Sequence, residues 1–155
     1  MSGKKFRFSL QKVLEVHEHE ASRTRQSLME AREELKQKQE QLEQARERLA
    51  DRQGMVEEET VQHPADLRRA GALREDARQA VGEAQAAVEE AQKRVREARS
   101  RFQKARKEQR ILEKLREQEK GEFDREQKKA EVEFFDEQAV SRHARNDDSS
   151  LMGGI

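Results

Sequence analysis

Few residues of this chain could do chemistry, and their spacing suits none of the common reactions. The four histidines are the best candidates for metal binding or acid–base catalysis, and the chain has no cysteine. His17 and His19 are two residues apart, so they point to different faces of a helix. His63 and His143 each stand alone. We therefore expect no metal site and no cofactor.

An acidic run and a glycine pair also do not indicate a catalytic site. The acidic run Glu57–Glu59 is typical of a solvated helix end, and Gly153 and Gly154 lack the strand and helix that flank a phosphate-binding loop. A Ser–His–Asp set or a carboxylate pair also needs a site that excludes water, which an exposed pair of helices does not provide. We expect no catalytic residues and predict that the protein is not an enzyme.

The composition excludes a thick hydrophobic core. Of the 155 residues, 43% are charged and 32% are hydrophobic, whereas a globular domain has roughly 45–50% apolar residues. A disordered chain and a long coiled coil are the two classes that remain, and the periodicity described below favours the coiled coil.

The charges and the apolar residues also limit the class of partner. Lys and Arg number 33, as do Asp and Glu, and no Trp or Tyr is present to stack on bases, so we expect no nucleic acid partner. No apolar run is long enough for a membrane span or a signal peptide. Absence of cysteine fits a reducing compartment. We expect a cytoplasmic protein without direct membrane insertion.

Heptad repeats run through both halves of the chain. In the first half, one column of the repeat consists of Leu14, Ala21, Leu28, Leu35, Leu42, Leu49 and Val56. Its partner column is smaller and partly polar: His17, Thr24, Ala31, Lys38, Ala45 and Arg52. In the second half the columns are Val81, Val88, Val95 and Phe102, and Ala77, Ala84, Ala91, Ala98, Ala105 and Leu112. Each half therefore predicts a long helix with an apolar seam.

A single break separates the two predicted helices. Pro64 removes a backbone donor and clashes with the preceding turn of a helix, so it marks the break. We expect one coiled-coil hairpin domain over 1–143, with a helix at 6–60, a turn around 61–66, a helix at 67–143 and a disordered tail at 144–155. Ser9 and Asp66 are candidate N-caps of the two helices.

Folding the chain about residue 63 makes the seams complementary. Large side chains then face small ones in successive layers: Leu28 with Ala98, Leu35 with Ala91, Leu42 with Ala84, Leu49 with Ala77, and Ala45 with Val81. The heptad alone would also allow a slip of one repeat, and the position of the break selects this register. The predicted fold is an all-α, long, antiparallel two-helix coiled-coil hairpin.

This register leaves the end of the second helix unpaired. Phe6 pairs with a position near Lys120, so about 20 residues, roughly 30 Å of helix at 1.5 Å per residue, overhang the hairpin. Four apolar residues of the overhang then have nothing of their own chain to bury them: Phe123, Phe134, Phe135 and Val140. The first helix begins at the same end with Phe6, Phe8, Leu10, Val13 and Leu14. These residues either seal the hairpin terminus or dock into another protein, and we favour docking.

Three segments of the chain carry a family resemblance: FRFSLQKVLEVHEHE from residue 6, LEKLREQEK at 112–120 and FFDEQAVSRHAR at 134–145. In order, spacing and total length they resemble FliJ, the small coiled-coil protein of the bacterial flagellar type III export apparatus. FliJ proteins are antiparallel coiled coils similar to the two-helix part of the γ subunit of rotary F-type ATPases. The resemblance covers nearly the whole chain.

The resemblance implies a non-enzymatic export component with several protein partners. FliJ proteins bind the hexameric export ATPase FliI near the centre of its ring, bind the export gate protein FlhA, and help to deliver substrate–chaperone complexes. We therefore expect peripheral association with the inner membrane through the export apparatus. The expected ATPase contacts are the apolar residues at the free end: Phe6, Phe8, Leu10, Val13, Leu14, Phe123, Phe134, Phe135 and Val140.

The resemblance also implies a gate-binding face early in the second helix. It would consist of Leu73, Ala77, Ala80 and Ala84, which are smaller than the partly aromatic residues expected there in the family. Ala77 and Ala84 also belong to the predicted seam between the two helices.

Two alternative functions stay open from the sequence alone. One is the corresponding stalk protein of an injectisome-type secretion system. The other is a self-associating structural scaffold. A parallel dimer of this kind would stack Lys38 on Lys38 and Arg52 on Arg52 in the seam, which costs energy. The antiparallel hairpin places Lys38 against Val88 instead, where its stem can pack, although it sets Arg52 opposite Arg74.

Overall fold

The computed structural model describes the backbone of residues 4–58 and 64–152, and the side chains of residues 4–55 and 64–149. These residues form two α-helices, α1 (Gln11–Glu58) and α2 (Pro64–Met152). The predicted all-α class with two long helices is confirmed, consistent with a two-helix hairpin. Over the described residues, neither helix has an apolar stretch long enough to cross a membrane.

The start of α1 differs from the expected residue 6. Ser9 and Leu10 form a turn that precedes the helix. The N–H of Gln11 donates to the Phe8 carbonyl at 3.1 Å. In non-helical backbone, Phe6 and Phe8 can both turn toward their own chain, and Phe8 is buried. The helix therefore begins at Gln11, after the two phenylalanines.

The break and the end of α2 also differ from expectation. α2 begins at Pro64, where a missing N–H costs no helical hydrogen bond, and Asp66 lies in its first turn, where a carboxylate favours the helix dipole. Residues 59–63 lie outside the described residues. α2 continues through residues 144–152, expected as a disordered tail, because no Gly or Pro occurs between Gly121 and Gly153. Residues 153–155 are outside the described part.

Packing divides the chain into two units. The first, which we call the turn unit, comprises residues 17–107. Three hydrogen bonds cross between its helices: Arg94 to Glu34 at 3.0 Å, Arg46 to Gln85 at 3.4 Å, and Arg52 to the carbonyl of Leu73 at 2.7 Å. The residue numbers of the α2 partners fall as those of the α1 partners rise, so the helices of the turn unit are antiparallel.

The bonds from Arg52 and Arg94 join positions close to those paired in the predicted register, whereas Arg46 reaches Gln85, beyond its predicted partner Ala80. Arg52 was expected opposite Arg74, and it reaches the carbonyl of the neighbouring Leu73. A slip of one heptad would move that carbonyl by about 10 Å along the axis, beyond the reach of the side chain. The bond from Arg52 to the backbone also shows how the structure accommodates two arginines on facing positions.

The core of the turn unit is narrow and lies on the predicted seam. Every buried residue that the structure describes in this unit belongs to one of the heptad columns: Ala21, Thr24, Leu28, Leu42, Ala45, Ala77, Val88, Ala91, Ala98 and Ala105. The Thr24 hydroxyl can donate a hydrogen bond to the carbonyl of Glu20 or of Ala21, both within 3.1 Å, so this polar residue of the seam is satisfied. Small side chains on α2 thus accept larger ones from α1.

The second unit, which we call the terminal unit, comprises Met1–Val16 and Glu108–Ile155. Its buried side chains are Phe8 and Leu14. The rings of Phe6 and Phe123 lie 5.7 Å apart at an angle of 54°. Beyond these contacts, every described side chain at positions 128–149 is exposed. We call residues 128–149 the bare segment of α2.

Candidate functional site

The nine residues expected to contact the ATPase lie in the terminal unit, and their burial divides them into three groups. Phe8 and Leu14 form the first group, with 6% and 2% of their surface exposed. These two side chains pack against their own chain and offer almost no surface to a partner. For them, the sealing interpretation fits the structure better than the docking interpretation.

Phe6 and Phe123 form the second group. Each is half-buried, and their rings contact each other with a tilted geometry at 5.7 Å. The expectation that nothing of its own chain covers Phe123 is therefore wrong, because Phe6, in the segment before α1, contacts it. This aromatic pair links the N-terminal segment to α2.

The third group is exposed and available to a partner. It consists of Leu10, Val13, Phe134, Phe135 and Val140, with Phe135 at 63% and Val140 at 70% exposure. Val16 and Val132 are also exposed, and the sequence reasoning missed both. The sequence could have identified both, because each is an aliphatic residue outside the seam columns and close to residues already in the predicted set.

Exposed apolar residues of the bare segment do not share one face. Phe134 and Phe135 are adjacent, so they point about 100° apart around α2, and their rings meet edge to face at 6.0 Å. Phe134 shares its side of the helix with Ala130, whereas Phe135 shares its side with Val132. A partner that buries all of them has to contact more than one side of the helix.

A basic groove lies beside the start of α1. Its volume is about 600 Å³. The residues that line this N-terminal groove are Phe6, Arg7, Phe8, Ser9, Gln11, Lys12, Glu15 and Arg116. Sequence reasoning did not identify the groove, although the run of Lys4, Lys5 and Arg7 could have suggested a local excess of positive charge.

The four residues expected to bind the gate lie in the turn unit and are not equally accessible. Leu73 and Ala80 are exposed, Ala84 is half-buried, and Ala77 is only 4% exposed. Ala77 therefore belongs to the seam. Any partner at this face would contact chiefly Leu73 and Ala80.

A smaller groove adjoins Leu73 near the start of α2. It has a volume of about 210 Å³ and is lined by Arg52, Met55, Asp66, Arg69, Ala70 and Leu73. The Nε of the nearby Arg74 is buried and has no hydrogen-bond partner among the described residues. Two arginines on facing seam positions thus leave one of their polar atoms unsatisfied.

The described residues hold no group of three or more His, Asp or Glu side chains that could bind a metal ion. His143 instead lies 3.7 Å from Asp147, one helical turn away. Both of these side chains are highly exposed.

Comparison with known families identifies one match. The family model described as flagellar FliJ protein matches residues 6–148. No curated protein and no solved structure matches the chain. The matched residues include all of the turn unit, the residues that line the N-terminal groove, and residues 128–148 of the bare segment.

Proposed function

The chain belongs to the flagellar FliJ protein family, and from this membership we propose that it is a non-enzymatic component of the flagellar type III export apparatus. In this proposal it binds the export ATPase FliI through the terminal unit, binds the export gate protein FlhA through the turn unit, and aids the delivery of substrates or chaperones. It works in the cytoplasm and reaches the inner membrane only through the export apparatus.

The observation that carries the proposal is the bare segment of α2. Its side chains are all exposed, and they include two phenylalanines and two valines. Isolated exposed apolar residues are ordinary, but a group of them on a helix segment that no described residue covers supports an interaction surface. Because these residues point to different sides of α2, a ring or a deep groove would bury more of them than a flat surface.

The gate interaction is supported less directly. Leu73 is exposed at the edge of the smaller groove, beside the exposed Met55. Ala77 supports this face only indirectly, by holding α2 against α1. We therefore assign the gate contacts to Leu73 and Ala80.

Binding to the cognate flagellar export ATPase tests the proposal. The double variant Phe134→Ser/Phe135→Ser removes the two exposed rings, and Ile111→Ser removes an exposed aliphatic residue of the same unit outside the expected set. We expect calorimetry to show at least tenfold weaker binding for the double variant, about 1.4 kcal/mol or more. The Ile111 control is expected to bind like the wild type.

Three outcomes are informative. Unaltered binding by the double variant would show that the bare segment is not the contact. A wild-type chain that does not bind the ATPase would remove the ATPase assignment. Self-association of the wild type, measured by light scattering and abolished by the double variant, would favour the structural scaffold instead.

A further inference from the structure

The start of the chain carries a local excess of positive charge, although the total charge is balanced. Residues 4–12 contain four cations, Lys4, Lys5, Arg7 and Lys12, and no carboxylate. Arg7 and Lys12 line the N-terminal groove, and α2 adds Arg116 from the other side. Three cations from two separate segments therefore converge on one concave surface.

These cations have no ion-pair partner in the part of the chain that the structure describes. The side chains of Arg7, Lys12 and Arg116 form no ion pair or hydrogen bond with any described residue. Among the described residues that line the groove, Glu15 carries a carboxylate, and it accepts a hydrogen bond from the Gln11 side chain at 3.3 Å. The groove therefore carries three cations against one carboxylate.

Arginines of the turn unit provide a contrast. Arg94 pairs with Glu34 across the seam and with Glu90 on its own helix, and Arg78 pairs with Glu75. These pairs lie on the outer surface of the turn unit. The three cations of the N-terminal groove differ from them in lining one concave surface that has a single carboxylate.

We propose that the N-terminal groove binds an acidic segment of a partner protein, whose carboxylates pair with Arg7, Lys12 and Arg116. The guanidinium groups of Arg7 and Arg116 can each take a carboxylate through two N–H donors. The ring of Phe6 supplies an apolar wall for the stem of an acidic side chain. This inference rests on the proposed function in one respect: the export ATPase is the protein partner tested.

The shape of the groove favours a protein over a lipid surface. The groove is concave, and the aromatic residues that line it are committed to their own chain, since Phe8 is buried and Phe6 packs on Phe123. Insertion into a bilayer needs apolar side chains that protrude beyond the cations. A projecting carboxylate can enter the groove, whereas a flat membrane surface cannot.

The test compares two sets of charge reversals with the same change in net charge. The groove variant is Arg7→Glu/Lys12→Glu/Arg116→Glu. The control variant is Lys93→Glu/Arg96→Glu/Lys107→Glu, at exposed positions on the outer face of α2 in the turn unit. Circular dichroism and thermal melting check that both variants fold, and a glutamine version of the groove variant separates loss of charge from repulsion.

Each full-length protein is titrated with the cognate export ATPase and with a fluorescent oligoglutamate peptide. We expect the groove variant to bind both at least tenfold more weakly than the wild type, the glutamine version to be intermediate, and the control to stay within about threefold. Wild-type binding should weaken steeply as salt is raised to about 0.3 M, and this salt dependence should be smaller for the groove variant.

The outcomes separate this inference from the proposed function. If the ATPase binds the wild type and the groove variant equally, the groove proposal is overturned while the proposed function stands. If the ATPase does not bind at all, the proposed function fails, and the peptide titration still decides the groove. Equal losses in both charge-reversal variants would indicate a general charge effect and overturn the proposal. Vesicles of anionic lipid that bind the groove in place of the peptide would also overturn it.

Discussion

Two valines on the same helix show how differently the two parts of the molecule use an apolar side chain. Val88 lies in the turn unit with 4% of its surface exposed, and Val140 lies in the bare segment with 70% exposed. Both belong to one uninterrupted α-helix. The difference is that α1 packs on α2 around Val88, whereas nothing in the described chain packs on the bare segment. Whether an apolar residue of α2 is buried therefore depends on whether α1 packs on it.

This comparison separates residues that hold the fold together from residues that remain free to bind. A narrow two-helix seam buries little apolar surface, so each buried seam residue carries a large share of the stability. An exposed apolar residue contributes little to folding and is retained at some risk of aggregation. The bare segment is therefore the part of the chain where a substitution can change binding without changing the fold.

The largest expected effect on stability is the loss of a large seam residue. Leu42→Ala should destabilise the chain by about 2–4 kcal/mol, because Leu42 is buried and Ala84, its predicted partner on α2, is too small to fill the cavity. Urea denaturation followed by circular dichroism measures the change. Met29→Ala, at an exposed position of α1 in the same unit, should change stability by less than about 0.5 kcal/mol. Equal effects of the two substitutions would contradict the assigned seam.

Much of the turn unit was predictable from the sequence, because heptads specify which side chains meet. The columns that contain Leu28, Leu42, Ala91 and Ala98 are the columns that the structure buries. The position of Pro64 selected the register. Both signals are local or periodic, so a single sequence is sufficient to detect them.

Less of the terminal unit was predictable, because its contacts do not follow the heptad. Phe6 and Phe8 precede α1 in non-helical backbone, so helical periodicity could not show that Phe8 is buried or that Phe6 meets Phe123. The N-terminal groove depends on the position of Arg116, more than 100 residues away in sequence. Only the tertiary fold brings such residues together.

A smaller effect is expected from helix propensity, and it also distinguishes the two parts. Gly82 lies on an exposed face of α2 in the turn unit, and an added Cβ would meet nothing within 4 Å. Gly82→Ala should therefore stabilise the chain by about 0.5–1 kcal/mol. Its counterpart in the bare segment is Ala144→Gly, which should lower local helicity without moving the main unfolding transition.

Thermal and urea unfolding measure the first substitution, and hydrogen exchange resolves the second. If Ala144→Gly shifted the global transition as much as Gly82→Ala does, in the opposite direction, the bare segment would unfold together with the seam. That result would remove the distinction between the two parts. Faster hydrogen exchange confined to residues near 144 would instead support the distinction between the two parts, because a helix without a packed face opens independently.

The smallest expected effect comes from the valine comparison itself. Val140→Ala should change the free energy of unfolding by less than about 0.5 kcal/mol, because the side chain is already in water. The identical substitution Val88→Ala should cost about 1–3 kcal/mol, since it removes two buried methyl groups and leaves a cavity. Residue type, helix and chemical change are the same in both variants, so any difference reports the packing of α1. Matching losses in both variants would mean that the bare segment is covered in solution, and light scattering would then show whether a second copy covers it.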